Sequence, residues 1–224
     1  MEKKVRVVFE NDNFLVMEKP TGMVVTKEKR GEMNTLEDWL RKNYPNNLSR
    51  NGIIHRLDKG TSGLLLVAKN KKSFKELKDQ FKNRTVKKNY YCLVSGEVVE
   101  SGSINLPIGR SKRGFGKFGV SVEGKEALTE FKLVRKYIRD GKKYSFLEVS
   151  LKTGRTHQIR VHLSHLRWPL VGDEVYGGEV NGLKRPFLHA AYLAINSPES
   201  GERLVFQSNL STDLRNHLKF YEEV

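Results

Sequence analysis

The stretch Gly52-Ile53-Ile54-His55-Arg56-Leu57-Asp58-Lys59-Gly60-Thr61-Ser62-Gly63 runs directly into Leu64-Leu65-Leu66-Val67-Ala68. A loop of glycines, hydroxyls and charges thus opens onto an apolar run suited to a buried strand. Upstream, residues 4–9 and 13–17 read as two strands around the turn residues Asn11-Asp12-Asn13, and Lys19-Pro20-Thr21-Gly22 reads as a turn. Thr35 caps a short helix with Leu36, Trp39 and Leu40 on one face. Downstream, Phe74, Leu77 and Phe81 predict a helix over 70–83, with Ser73 and Glu76 as its capping box. Strands follow at 90–95, 127–137 and 143–152, the last two joined at Asp140-Gly141. A helix over 156–167 buries Ile159, Leu163 and Leu166. Strands at 187–195 and 203–208 precede a closing helix with Leu214, Leu218 and Tyr221. Strands outnumber helices and many neighbours are hairpin-like, which predicts an α+β fold with a largely antiparallel sheet. No repeat or linker divides the chain, so residues 1–224 are expected to form a single catalytic unit.

Composition narrows the functional classes. The chain has 224 residues, one cysteine, and 41 Lys+Arg against 26 Asp+Glu, a net charge of +15. Cys92 has no partner for a disulfide, and a Cys-ligated zinc site is equally disfavoured. No apolar stretch is long enough for a membrane span or a signal peptide. These features point to a soluble, cytoplasmic setting without membrane contact. The positive field attracts polyanions, nucleic acid first among them, although a plain solubility surplus also fits.

Two patterns are decoys. Gly114-Phe115-Gly116-Lys117-Phe118-Gly119 matches G-x-G-x-x-G, but strand-like sequence follows it, so it is no dinucleotide site. With Arg110, Lys112 and Arg113 it reads either as a basic loop able to track phosphates or as a solvated hairpin tip. His157, His162 and His165 are spaced five and three apart, not the i, i+4 of a zinc helix. No metal is expected.

Two blocks carry chemistry. Asp58 sits among Arg56, Lys59, Gly60, Thr61 and Ser62, where donors and opposite charges hold a carboxylate ionised and aimed. An Asp capping its own turn is the equally open alternative. In Leu151-Lys152-Thr153-Gly154-Arg155-Thr156-His157-Gln158-Ile159-Arg160-Val161-His162, two arginines straddle a helix start that favours anions. A surface helix with scattered basic residues explains the apolar spacing, but not the polar concentration before it.

HRLDKGTSG with LLLVAKN, and TGRTHQIRVHLSHLRWPLVGDEVYGG, resemble the two signature blocks of RluA-type pseudouridine synthases. DNFLVMEKPTGMVV, KKNYYCLVSG and RPFLHAAYLAI match further blocks in the family's order, from about Asn11 to Ile195. The resemblance implies the pseudouridine synthase fold, a mixed, largely antiparallel sheet flanked by helices and crossed by an active-site cleft. It also implies isomerisation of uridine to pseudouridine in structured RNA, a ribosomal or transfer RNA stem-loop, with no metal or organic cofactor. The chain is expected to act as a monomer.

By motif position, Asp58 matches the catalytic aspartate and Arg56 the arginine beside the flipped base. Tyr90 matches the tyrosine that stacks on that base, with Tyr91 as its one-residue alternative. Arg160 is the basic residue expected to pair with the aspartate. His55, Thr61, Arg155 and His157 are the expected substrate contacts or site organisers. The base must leave the stack and be retained in a water-poor pocket while the glycosidic bond moves. Attack on the sugar, attack on the base and removal of the 2′ proton all remain open for Asp58. The accessory N-terminal RNA-binding domain of many relatives is expected to be absent. RNA selection then falls to the lysine face of helix 70–83 and the basic loop 110–117. A binding-only module and a base-releasing nucleosidase are the competing classes.

Overall fold

The computed structural model describes residues 4–27, 34–111 and 117–224. Along the chain it forms β1 (Arg6–Glu10), β2 (Phe14–Lys19), α1 (Leu36–Asn43), β3 (Ser62–Ala68), α2 (Lys71–Lys82), β4 (Lys87–Ser95), β5 (Gly102–Asn105), β6 (Ile108–Arg110) and β7 (Phe118–Val120). It continues as β8 (Leu128–Arg139), β9 (Lys142–Leu151), α3 (Gln158–His165), β10 (Leu188–Asn196), β11 (Arg203–Gln207), α4 (Thr212–Leu218) and β12 (Glu222–Glu223). The α+β reading holds. The pairs β1–β2, β2–β3, β4–β9, β5–β8, β6–β7, β8–β9, β8–β12 and β10–β11 are antiparallel.

The chain divides into two compact units, one of residues 1–88 with 190–209, the other of 89–189 with 210–224. Two of the three crossings fall inside strands, β4 and β10, and the third lies in the short connection between β11 and α4.

The first unit orders its strands β1-β2-β3-β10, with β11 on β10. Phe14, Val16, Leu64, Leu66 and Ala68 alternate along β2 and β3 to fill one face, and α2 closes it with Leu77. The residues on the other face of β3 are buried as well, which accounts for its unbroken apolar text. Gly63 has a left-handed φ of +113°, and a Cβ there would collide with the Ala190 main chain. Gly63→Ala should therefore cost about 2–3 kcal/mol, read as a lowered midpoint in urea unfolding.

Helix α1 starts at Thr35 with a full capping box, its hydroxyl accepting from Asp38 N and Asp38 answering to Thr35 N. At α2 the expected box at Ser73 and Glu76 is corrected. Asn70 is the cap, its Oδ1 accepting from Ser73 N at 2.9 Å and from Ser73 Oγ at 2.7 Å. Ser73 lies one turn inside, fully buried, where its hydroxyl cannot end a helix.

The second unit orders β4-β9-β8-β12, with β5 also on β8 and β6-β7 as a separate hairpin. Tyr144, Phe146, Val171, Phe187, Leu214 and Tyr221 form its larger core cluster. Helix α3 begins two residues later than expected, after His157 at a φ of 56°. Six consecutive residues, Gln158 to Leu163, are buried, so α3 is a core helix and Leu166 ends half-buried.

Candidate active site

In the first unit, residues 53–55 lie along β3 before the chain turns back. Ile54 N donates to Leu66 O, and Leu66 N donates to the Nε2 atom of His55 at 3.2 Å. Leu57 is buried while Arg56 beside it is exposed, which leaves Asp58 half-buried at the head of a turn. Thr61 N closes that turn on Asp58 O at 3.0 Å, and buried Thr61 leads into β3.

The turn is bolted down from the Lys19–Met23 segment. Gly22 N donates to Lys59 O at 2.7 Å, and Thr21 Oγ1 to Gly60 O at 3.1 Å. Lys19 is only 1% exposed. Its ammonium donates to Pro20 O and Met23 O, both at 2.9 Å, and to Lys59 O at 3.4 Å. A buried ammonium needs such acceptors, because desolvation without them is costly. Sequence reasoning placed a turn at Lys19 but missed this role. A lysine between a strand and a proline carries no signal of burial.

His55, expected as a substrate contact, has its ring held by two neighbours in the first unit. Its ring accepts from Leu66 N and stacks on Phe81 at 4.9 Å and 22°. Burial, with the Lys88 charge adding to it and a hydrogen bond at the Arg56 main chain opposing, pushes its pKa down to about 3. The unfolded chain holds a proton on His55 below its ordinary value of 6.5, while the folded chain stays neutral to about 3. Stability therefore drains as pH falls through that window. His55→Gln should shrink the loss between about pH 6.5 and 4 by roughly 1–3 kcal/mol, measured by urea unfolding at both pH values.

In the second unit the polar text before α3 acquires a reason. Gln158 uses all four hydrogen-bonding positions of its amide. Its Oε1 accepts from Thr153 Oγ1 at 2.8 Å and Arg155 N at 2.9 Å. Its Nε2 donates to Leu128 O at 3.0 Å and Thr129 Oγ1 at 2.9 Å. Thr129 sits 2.8 Å from His162 Nδ1, and His162 Nε2 lies 2.9 Å from Leu106 O. A carbonyl only accepts, so Nε2 carries the proton. Burial lowers the His162 pKa. This network shapes the Thr153–His157 loop, and the sequence reading had not singled out Gln158.

Arg155 donates from Nε to Glu126 O at 2.9 Å. His157 Nδ1 lies 2.9 Å from the Tyr176 hydroxyl. Arg160 meets Asp173 as a fork, Nε to Oδ2 at 2.7 Å and Nη2 to Oδ1 at 2.8 Å, with its guanidinium 4.9 Å from the Tyr176 ring centre. Asp173 is a partner that sequence spacing did not indicate. On β4, the Tyr91 ring packs into the larger core cluster, 5.3 Å from Phe146. Strand alternation puts Tyr90 on the opposite face. Of the basic loop, Lys112, Arg113 and Gly114 to Gly116 lie outside the described residues.

The architecture is that of the pseudouridylate synthases. The structure resembles human RNA pseudouridylate synthase domain containing 1 with a TM-score of 0.80 and 29% identity, covering 99% of this chain and 89% of that one. Human RNA pseudouridylate synthase domain containing 4 shares the fold at a TM-score of 0.76 and 22% identity, covering 97% and 94%. The family model for RNA pseudouridylate synthase matches residues 13–165, and the chain belongs to that family. It is 43% identical over 203 residues to an uncharacterized RNA pseudouridine synthase of Chloroflexus aurantiacus, covering 88% of this chain and 63% of that protein. It is 35% identical over 226 residues to ribosomal large subunit pseudouridine synthase D of Pseudomonas aeruginosa, covering 94% and 69%. The chain thus spans about two thirds of the length of these curated relatives. No helix among the described residues is long and apolar enough to cross a membrane.

Proposed function

We propose that this chain is an RNA pseudouridine synthase, isomerising uridine to pseudouridine in a structured RNA. Ribosomal RNA is the first candidate, since a similar protein bears a ribosomal large subunit name; a transfer RNA stem-loop is the second. The reaction breaks the bond from ribose C1′ to N1, turns the detached uracil and joins C1′ to C5, with the C5 proton lost and one proton gained at N1. It is redox-neutral and needs no cofactor.

The observation that carries the reading is the Asp58 turn. Three hydrogen bonds, from Lys19 Nζ and Gly22 N to Lys59 O and from Thr21 Oγ1 to Gly60 O, together with Thr61 N to Asp58 O, hold the turn in one frame. A pre-set acid of this kind costs little reorganisation in the transition state. Arg56, exposed beside it, suits the flipped base or its phosphate. Tyr90 supplies the stacking face, while Arg160, Arg155, His157 and Thr61 complete the set. One catalytic domain, residues 1–224, acts as a cytoplasmic monomer in this reading.

The test is carbodiimide mapping of pseudouridine in total RNA from cells with and without the protein. One uridine that loses its modification supports the reading and names the substrate. An unchanged map, together with release of free uracil from RNA by the purified chain, replaces it with a nucleosidase.

A further inference from the structure

The cations of this protein fall into two kinds. On β8 and β9 most are matched, Lys132 excepted: Arg135 with Glu223, Lys136 and Lys143 with Glu97, and Lys142 with Glu179. On α2 they are not. Lys71, Lys75, Lys78 and Lys82 are exposed, and none has an ion-pair partner among the described residues. Their spacings of four, three and four put them on one face, away from the buried Ser73 and Leu77. The stripe is roughly 16 Å long, with one charge per turn of about 5.4 Å. Exposed Arg84 and Lys87 extend it beyond the helix.

The stripe also has a direction. At its C-terminal end Phe81 stacks on His55 at 4.9 Å, and the Lys88 ammonium sits 5.2 Å from the centre of the same ring. His55 is three residues before Asp58, and Leu66 N holds its ring in place. The row of unmatched charges therefore ends against the segment that carries Arg56 and Asp58.

We propose that Lys71, Lys75, Lys78 and Lys82, continued by Arg84 and Lys87, track the phosphate backbone of the RNA flanking the uridine presented to Asp58. This rests on the synthase reading and adds to it the surface that holds the substrate. Such contacts give affinity and salt dependence, not base choice.

The test uses the full chain and a fluorescein-labelled RNA stem-loop of about 20 nucleotides with a uridine-containing loop, titrated by anisotropy across a range of salt. Replacing the four lysines by Gln should flatten the slope of log K against log salt by about 3 and weaken binding about 100-fold near 0.1 M salt. The four-fold Lys→Arg variant should keep the wild-type slope, as should Gln at Arg135, Lys136, Lys142 and Lys143. Circular dichroism melting shows that each variant is folded. An unchanged slope in the α2 Gln variant overturns the proposal, as does an equal loss in the β8–β9 variant, which would mean a diffuse field. Turnover separates this idea from the one beneath it. A raised KM with unchanged kcat in the α2 Gln variant supports the tracking role. A wild-type chain that forms no pseudouridine in any RNA, while its binding slope still depends on α2, removes the synthase reading and retains the RNA surface.

Discussion

Asp58→Asn should lower pseudouridine formation by at least about 1,000-fold while RNA affinity and folding stability stay at wild-type levels. The substitution keeps the shape of the side chain and removes its charge and basicity. Every proposed route needs the carboxylate, whether as a nucleophile towards the sugar or the base or as the acceptor of the 2′ proton. The turn should survive, because its fixing bonds run through main-chain atoms: Thr61 N to Asp58 O, and Lys19, Thr21 and Gly22 to the carbonyls of Lys59 and Gly60. The C5 hydrogen must leave when C1′ joins C5, so tritium released from 5-tritiated uridine in RNA measures the rate directly. Near wild-type release from the Asn variant would move the chemistry to another residue.

Removing the carboxylate beneath Arg160 should have the largest effect on stability. The Arg160 and Asp173 side chains are 8% and 1% exposed, and the fork between them is bidentate. Asp173→Ala removes both acceptors of the fork from a buried guanidinium, a loss of about 3–5 kcal/mol. The doubly apolar variant Arg160→Met with Asp173→Leu removes both desolvated charges and should recover more than half of that loss. Urea unfolding reads both. A cost below about 1 kcal/mol for Asp173→Ala would mean that Arg160 takes its support elsewhere.

That pair also shows where sequence reasoning stopped. The hairpin of β1 and β2, the β8–β9 hairpin at Asp140-Gly141, the cap at Thr35 and the buried run of β3 were legible because each rests on neighbours a few residues apart. That Tyr90 and Tyr91 face opposite ways was legible for the same reason, since alternation on one strand decides it. The start of α3 was not. The expected helix starts at residue 156, but the Gln158 network holds Thr153 to His157 as a loop and delays it. His55 read as a substrate contact from its place in the HRLD block. The contacts of its ring with Leu66 N and Phe81 had no signal in the sequence.

By itself the sequence determined the local elements, the α+β class, the charge surplus and the motif blocks that place the chain in its family. Only the tertiary structure decided that Lys19 cages three carbonyls, that Asp173 holds Arg160, that Gln158 shapes the loop before α3 and that the α2 lysines stand unmatched. The physical reason is range. Propensity and periodicity act within a turn or a strand. A hydrogen bond or an ion pair forms only within about 3–4 Å, between groups that the whole fold must first bring together.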